Sequence, residues 1–203
     1  SQEQKEHYLI PALWGEKRCS LAITEPGAGS DPSLMTTTAQ ERGGRYLLNG
    51  RKMFISGAEE ADFFLLFARL QGSRGREGIT AFLVDSDSPG LRVERRIPVI
   101  GLPTGSWDDW PCEVSLQDVS VPSENVVGGV GKGWELLQGS LGTIRLGFGP
   151  RAVALSERCL RMARDYATQR VTFGAPLAER QAVQFMLADS AMAIEALRWM
   201  TYH

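Results

Sequence analysis

Between Ser20 and Asp31 the sequence reads Ser-Leu-Ala-Ile-Thr-Glu-Pro-Gly-Ala-Gly-Ser-Asp, a short apolar run that breaks into a turn carrying Thr24, Ser30 and Asp31. Leu21, Ala22 and Ile23 suit a strand that delivers a loop. Pro26 fixes its own φ and removes an N–H, and Gly27 and Gly29 let backbone approach a ligand with no Cβ in the way. Exposed N–H groups of such a loop stabilise anionic oxygens. Taken alone, the stretch also reads as an ordinary turn, so other parts of the chain have to decide.

Three glycine-rich places invite nucleotide readings. Gly27-Ala28-Gly29-Ser30-Asp31-Pro32 opens like a dinucleotide fingerprint but ends in Pro, with no helical pattern after it. Gly131-Lys132 resembles the end of a P-loop, yet Val126 stands where the first Gly is needed and Gly133 where Ser or Thr would hold magnesium, so it reads as a linker. Gly147-Phe148-Gly149-Pro150-Arg151-Ala152 matches the Gly-x-Gly-x-x-Ala variant and leads into an amphipathic helix. A βαβ unit would then need a second strand ending in an acid, whereas Arg170 runs into a Pro-Gly loop and another helix. The only histidines are His7 and His203, which supports neither a metal cluster nor an acyl-transfer triad. Cys19, Cys112 and Cys159 are odd in number and widely spaced, and read as reduced, mostly buried thiols.

The chain that must position these groups has 203 residues, 43% hydrophobic and 23% charged, an ordinary globular composition. A formal charge of -2 gives no electrostatic footprint for nucleic acid or an anionic membrane surface. No apolar run reaches the roughly 20 residues that span a bilayer, and the polar start is no signal peptide. From Ser20 to Pro122 the pattern has period two. Strands are expected over 35–41, 45–49, 52–56, 61–70, 79–85, 91–97 and 114–121, with turns at Arg42-Gly43-Gly44 and Asn49-Gly50. The run Phe63 to Phe67 suits a strand buried on both faces, and Gly72 to Arg76 an exposed loop. After a Gly-rich hinge at 128–133 the period becomes helical, through Leu155, Cys159, Met162 and Tyr166, then Val183, Leu187, Ser190, Ile194 and Leu197. Two helices are expected, broken at 171–176, with Pro176 just inside the second and a kink near Gly147 and Pro150. The fold class is therefore α+β: an antiparallel β-sandwich or barrel-like domain followed by two long antiparallel helices of an incomplete bundle.

Four separated stretches now fall in order: Leu21-Ala22-Ile23-Thr24-Glu25-Pro26-Gly27-Ala28-Gly29-Ser30-Asp31, Asn49-Gly50-Arg51-Lys52-Met53-Phe54-Ile55-Ser56, Val119-Ser120-Val121-Pro122 with Glu124-Asn125, and Arg170-Val171-Thr172-Phe173-Gly174-Ala175-Pro176-Leu177 leading to Gln181. Together they resemble the acyl-CoA dehydrogenase family over essentially the whole chain. The resemblance implies the end of an N-terminal helical region at 1–19, a middle β-domain at 20–126 and the start of a C-terminal helical domain at 127–203. It implies that FAD meets Leu21, Ile23 and Thr24 along the polar edge of its ring, with Ser30 at the pyrophosphate or the thioester. Phe54 stands where the family commonly has Trp beside the flavin, followed by Ile55, and Ser56 stands where it commonly has Thr near the hydride-accepting nitrogen. By itself Phe54 reads as a core aromatic. Arg170, Phe173 and Gln181 resemble residues that reach the adenine and phosphate end of an FAD held mainly by a neighbouring subunit, which implies a homodimer or homotetramer. Arg170 alone reads as a cation at a helix C-terminus, worth about 0.3 to 1 kcal/mol. Substrate contacts are implied at Ser30, Gly142 and Arg145, with Gly142 replacing the family's usual acid, and the resemblance implies that the helix carrying Gly142 and Arg145 runs on through Gly147 and Pro150 with no more than a bend.

The resemblance implies α,β-dehydrogenation of an acyl-CoA thioester, as in fatty acid β-oxidation. Electrons would pass to an electron-transferring flavoprotein or another acceptor, in a bacterial cytoplasm or a mitochondrial matrix. The family's catalytic glutamate usually lies on a segment beyond the position of His203; some members place it just before the long-helix arginine, where this chain has Ile144. The chain thus carries no recognisable catalytic base and is expected to be inactive by itself. An oxidase or monooxygenase on the same fold and a non-catalytic flavin-binding homologue are the alternatives. Trp107 and Trp110 are placed either on a substrate-pocket wall or on an exposed loop or subunit contact.

Overall fold

Phe63 to Phe67 is the most apolar run of the chain, and in the computed structural model, which describes residues 1–100 and 109–203, it forms the middle of a mixed sheet. Strand β4 (Phe63–Leu70) pairs antiparallel on one edge with β5 (Ile79–Asp85). Its other edge takes two short strands in succession, β1 (Cys19–Ala22) and β2 (Thr38–Arg42), both parallel to it. β2 continues to β3 (Arg45–Ser56), β3 to β7 (Pro111–Pro122) and β7 to β6 (Leu91–Arg96), all antiparallel. The short β8 (Val126–Val127) pairs with β5.

The antiparallel expectation thus describes the long ladders, and two parallel pairings are added to it. Their cause is the crossover between β3 and β4. The Asp62 N–H donates to Arg18 O at 2.9 Å and the Arg18 N–H to the Asp62 carboxylate at 2.7 Å, so β4 starts beside the start of β1 and runs with it. β4 is buried on both faces, as its composition predicts. Phe64, Leu66 and Ala68 join Phe82, Val84, Leu48, Val114, Leu116 and Val119 in the main core. Phe63 faces the other way, with Leu83, against Tyr8 of the N-terminal helical segment. That segment is built of α1 (Gln2–Gln4), a π-helical turn Lys5–Leu9 and α2 (Ile10–Trp14), and it stops at Gly15 in the left-handed conformation. Each large apolar side chain buried in this way contributes about 1.5 to 3 kcal/mol relative to exposure.

Contacts divide the chain into two compact units, Ser1–Leu137 and Gln138–His203. In the second, the long helical stretch is broken at Gly147 into α3 (Gly133–Leu146), which begins in the first unit, and α4 (Phe148–Gln169). A bend is expected here in a helix that the resemblance makes continuous; the structure instead interrupts it at Gly147, and Pro150 falls in the first turn of α4, where its missing N–H has no intrahelical partner to lose. α4 and α5 (Gln181–Tyr202) pack antiparallel: Gly149 lies against Thr201, and Glu157 pairs with Arg198.

Several local expectations are corrected. Asn49-Gly50 is no turn but the middle of β3; a Cβ on Gly50 would lie 2.7 Å from the Thr37 Cα, so the glycine is there for close approach. β2 begins at Thr38, because Met35 ends a 3-10 turn, Pro32–Leu34, and is buried. Pro176 lies outside α5. It closes β10 (Ala175–Pro176), the partner of β9 (Val171–Thr172), and caps a 3-10 turn, Leu177–Glu179. The Gly-rich hinge is anchored, since Gly131 N donates to Thr80 Oγ1 at 2.9 Å and Gly133 packs on the Ile79 carbonyl. Of the cysteines only Cys112 is buried; Cys19 and Cys159 reach the surface. Trp110 belongs to the core, neither to a pocket wall nor to an exposed loop. Trp107 lies outside the described residues.

Candidate functional site

β1 and the end of β3 run side by side as a seam, without a regular ladder. Ser20 Oγ donates to the Ser56 carbonyl at 2.9 Å, and the Met53 N–H donates to the Thr24 carbonyl at 2.8 Å. The first and second sequence motifs therefore meet in space. Along β1, Ser20 and Ala22 turn inward while Leu21 is exposed and Ile23 half-buried. The loop then folds back on itself through paired Glu25 and Ala28 backbone bonds of 3.0 and 3.1 Å.

What holds this seam is a buried ion pair. Lys52 is in phase with Tyr46 and Leu48, so its side chain enters the core, where it is 0% exposed. Its Nζ donates to Glu25 Oε1 at 2.9 Å and to the Ile23 carbonyl at 3.0 Å. Glu25 in turn accepts from Thr36 N (2.6 Å), Thr36 Oγ1 (2.8 Å) and Thr37 N (3.0 Å). Burial acts to raise the Glu25 pKa, but the Lys52 charge and hydrogen bond and the Thr36–Thr37 donors outweigh it and hold the carboxyl down to about 2. Burial lowers Lys52 to about 8 against the opposing pull of Glu25. At neutral pH both are charged, with each charge hydrogen-bonded, as buried charges require.

Immediately after Lys52 the strand bulges. Lys52 pairs with Val114 and Ile55 with Cys112, so Met53 and Phe54 together oppose Glu113. The extra residue reverses the alternation: Ile55 turns into the core and Phe54 outward, half exposed, at φ 59. A left-handed aromatic residue costs on the order of 1–3 kcal/mol and marks a place where the surroundings impose a direction on the side chain. Ile55 can therefore offer a ligand only its backbone. Thr24 is half-buried and Ser56 exposed; among the described residues, the Thr24 N–H and the hydroxyls of Thr24, Ser30 and Ser56 meet no protein hydrogen-bond partner. Unengaged donors beside an exposed ring fit the polar edge and the flat face of a conjugated heterocycle, and nothing in this set calls for a metal.

Asp31 has a structural task. Its Oδ1 accepts from Ser33 Oγ (2.6 Å) and Ser33 N (3.0 Å), which caps the 3-10 turn and lowers its pKa. Arg69 fixes the same loop from outside, donating to the carbonyls of Met35 (3.1 Å), Ser33 (2.6 Å) and Gly75 (2.6 Å).

In the second unit, Arg170, Phe173 and Gln181 lie on the α4–α5 connector, all exposed. Arg170 ends α4, and its carbonyl accepts from Leu177 N at 2.8 Å. Phe173 and Gly174, at φ 49 and 81, form a two-residue hairpin tip with the ring fully exposed. Gln181 opens α5. Gly142 and Arg145 are exposed on α3. Sequence reasoning missed the Glu25–Lys52 pair. The signal was a lysine in phase with apolar residues of a strand, matched by an acid in the adjoining motif.

Two family models match the chain: the acyl-CoA dehydrogenase middle domain over residues 20–119 and the acyl-CoA dehydrogenase C-terminal domain over 131–203. A 3-(aryl)acrylate reductase of Clostridium sporogenes is 38% identical over 100% of this chain and 53% of its own length. The short-chain specific acyl-CoA dehydrogenase of Megasphaera elsdenii is 38% identical, over 100% and 52%. The structure of butyryl-CoA dehydrogenase from Megasphaera elsdenii superposes with a TM-score of 0.91 at 37% identity, over 100% of this chain and 52% of that one. The chain spans about half the length of the curated relatives it matches.

Proposed function

Because the chain belongs to the acyl-CoA dehydrogenase family, we propose that it supplies the flavin-edge and acyl-CoA-facing portion of an FAD-dependent enzyme that desaturates an acyl-CoA thioester between its α and β carbons. The observation that carries this reading is the seam itself. Phe54 is turned outward by a strained bulge beside Thr24 and Ser56, whose hydroxyls, among the described residues, meet no protein hydrogen-bond partner.

FAD, when bound, supplies the acceptor for the hydride that leaves the β-carbon. The chain's own groups hold and orient. The Thr24 N–H and hydroxyl and the Ser56 hydroxyl donate to electron-rich atoms of the ring edge, and donors aimed where charge develops favour the transition state over the ground state. Phe54 covers a ring face and excludes water, while Leu21 and Ile23 line the approach. Ser30, on the glycine loop, meets a phosphate or thioester oxygen. On the helical unit, Arg145 and the open surface at Gly142 receive the acyl-CoA. Arg170, Phe173 and Gln181 serve the distal end of a cofactor shared between copies of a homodimer or homotetramer; the Arg170 guanidinium fork suits a phosphate. The proton acceptor for the α-carbon lies outside these residues. Residues 1–19, 20–126 and 127–203 are then the end of an N-terminal helical domain, the middle β-domain and the start of a C-terminal helical domain. Electrons leave to an electron-transferring flavoprotein or a comparable acceptor, in a bacterial cytoplasm or a mitochondrial matrix.

The test is a titration of the chain with FAD, followed by flavin fluorescence and the visible spectrum, and then addition of an acyl-CoA panel. Quenching and a shifted flavin band are expected, without bleaching, since no residue of the chain is recognisable as the base. Absence of FAD binding would remove the cofactor reading. Bleaching by an acyl-CoA would show that the base lies within this chain.

A further inference from the structure

Lys52 makes one more hydrogen bond than neutralising Glu25 requires, and that bond goes to the Ile23 carbonyl at 3.0 Å. A peptide group is planar and trans, so its N–H points opposite to its C=O. The Ile23 carbonyl turns inward to the buried ammonium; the N–H of the same peptide, which belongs to Thr24, therefore turns outward. The next carbonyl, that of Thr24, is tied to Met53 N at 2.8 Å, so the backbone is fixed on both sides of that N–H. Among the described residues the Thr24 N–H itself donates to no protein acceptor. An ammonium bound to a carbonyl oxygen draws density through the amide and strengthens its N–H as a donor, an effect enlarged by the low local dielectric.

We propose that Lys52 is a positioning residue of the ligand seam: held in place by Glu25, its ammonium aims and polarises the Ile23–Thr24 peptide, so that the Thr24 N–H is a pre-set strong donor to an electron-rich ligand atom. The inference rests on the flavin reading above and adds a consequence to it. A strengthened donor at the ring edge favours the more electron-rich reduced cofactor over the oxidised one, so Lys52 raises the cofactor's reduction potential without touching it.

The experiment compares wild type with Glu25→Gln, Lys52→Met and the double variant E25Q/K52M. The double variant removes both charges together and so avoids a lone buried carboxylate. Thermal midpoints establish that it is folded. In the ligand-free, nitrogen-15-labelled chain at pH 5, where Glu25→Gln keeps the Lys52 ammonium, the Thr24 amide proton is expected at lower ppm in Lys52→Met and the double variant, and near its wild-type position in Glu25→Gln. With FAD, the double variant is expected to lose about tenfold in its preference for reduced over oxidised cofactor, read as a potential lower by about 30 mV for two electrons. An unmoved Thr24 amide, or an unchanged potential in a folded double variant, overturns the proposal. If wild type binds no FAD, the flavin reading falls, and the Thr24 amide shift alone decides the role of Lys52.

Discussion

Replacing Glu25 by Gln should remove a specific portion of the protein's acid sensitivity. In the folded chain the Glu25 carboxyl is held down to about 2 from an ordinary value of 4.5. The folded state therefore binds the Glu25 proton more weakly than the unfolded state, and stability grows with pH between the two values. The contribution is complete above about pH 4.5 and is lost as pH falls toward 2. At 1.36 kcal/mol per pKa unit, the full difference is about 3 kcal/mol, of which about 2 kcal/mol is gone by pH 3. Urea unfolding followed by tryptophan fluorescence at pH 7, 5, 4 and 3, for wild type and Glu25→Gln, measures this directly. At neutral pH the variant is the less stable by about 3 kcal/mol, because Lys52 loses its counter-ion and, with it, the pull that opposes the lowering of its pKa by burial. The gap should narrow by about 2 kcal/mol on going from pH 5 to pH 3, where Lys52 is protonated in both proteins and the variant has no carboxyl to protonate at position 25. Parallel pH profiles for the two proteins would refute the assignment of this part of the acid sensitivity to Glu25.

Phe173→Asn should stabilise the helical unit by about 1 kcal/mol, because Asn tolerates the left-handed conformation better and the fully exposed ring has no burial to lose; an unchanged or lower unfolding midpoint would contradict this. The same variant should weaken FAD binding under the flavin reading. Gly50→Ala drives a methyl into Thr37 and should cost about 3 kcal/mol or prevent folding, visible in urea midpoints and expression. Gly149→Ala sets opposing effects against each other. It gains up to about 1 kcal/mol in helix propensity but places a methyl 2.7 Å from Thr201 Cγ2, for a net loss of about 1 kcal/mol. Adding Thr201→Ala should recover that loss, and strict additivity of the two single changes would show that the helices do not meet there.

The β-to-helix order, the doubly buried β4 and the weak point near Gly147 were legible from periodicity and composition, because each rests on local preference or on simple burial; that the helix is interrupted there and not merely bent was not. The seam was legible only as motifs. Leu21 to Thr24 and Met53 to Ser56 could be singled out, but that they lie against each other depends on the crossover after β3, which no local pattern encodes. The outward turn of Phe54 was hidden for a different reason. Period two places Phe54 on the same face as Lys52, and only the bulge opposite Glu113 exchanges it with Ile55. Trp110 misled because its loop-like neighbours suggested a surface, while its ring packs in the main core. Gly50 looked like a turn because Asn-Gly usually is one; here the glycine admits the Thr37 backbone instead.

The Lys52–Glu25 pair also decides which alignment of strands the chain accepts. A slip of β3 by one residue exchanges inward and outward positions, so that Lys52 would leave the core and Met53 would take its place beside the Glu25 carboxylate. An apolar strand tolerates such a slip at modest cost, because one buried hydrocarbon resembles another. Here the slipped arrangement strands a desolvated anion among hydrocarbon, which makes the alternative pairing far more costly than any loss of packing. One ammonium in line with the buried Tyr46 and Leu48 of β3 thus acts as an alignment key for the sheet, and the bulge that turns Phe54 outward is locked two residues beyond it.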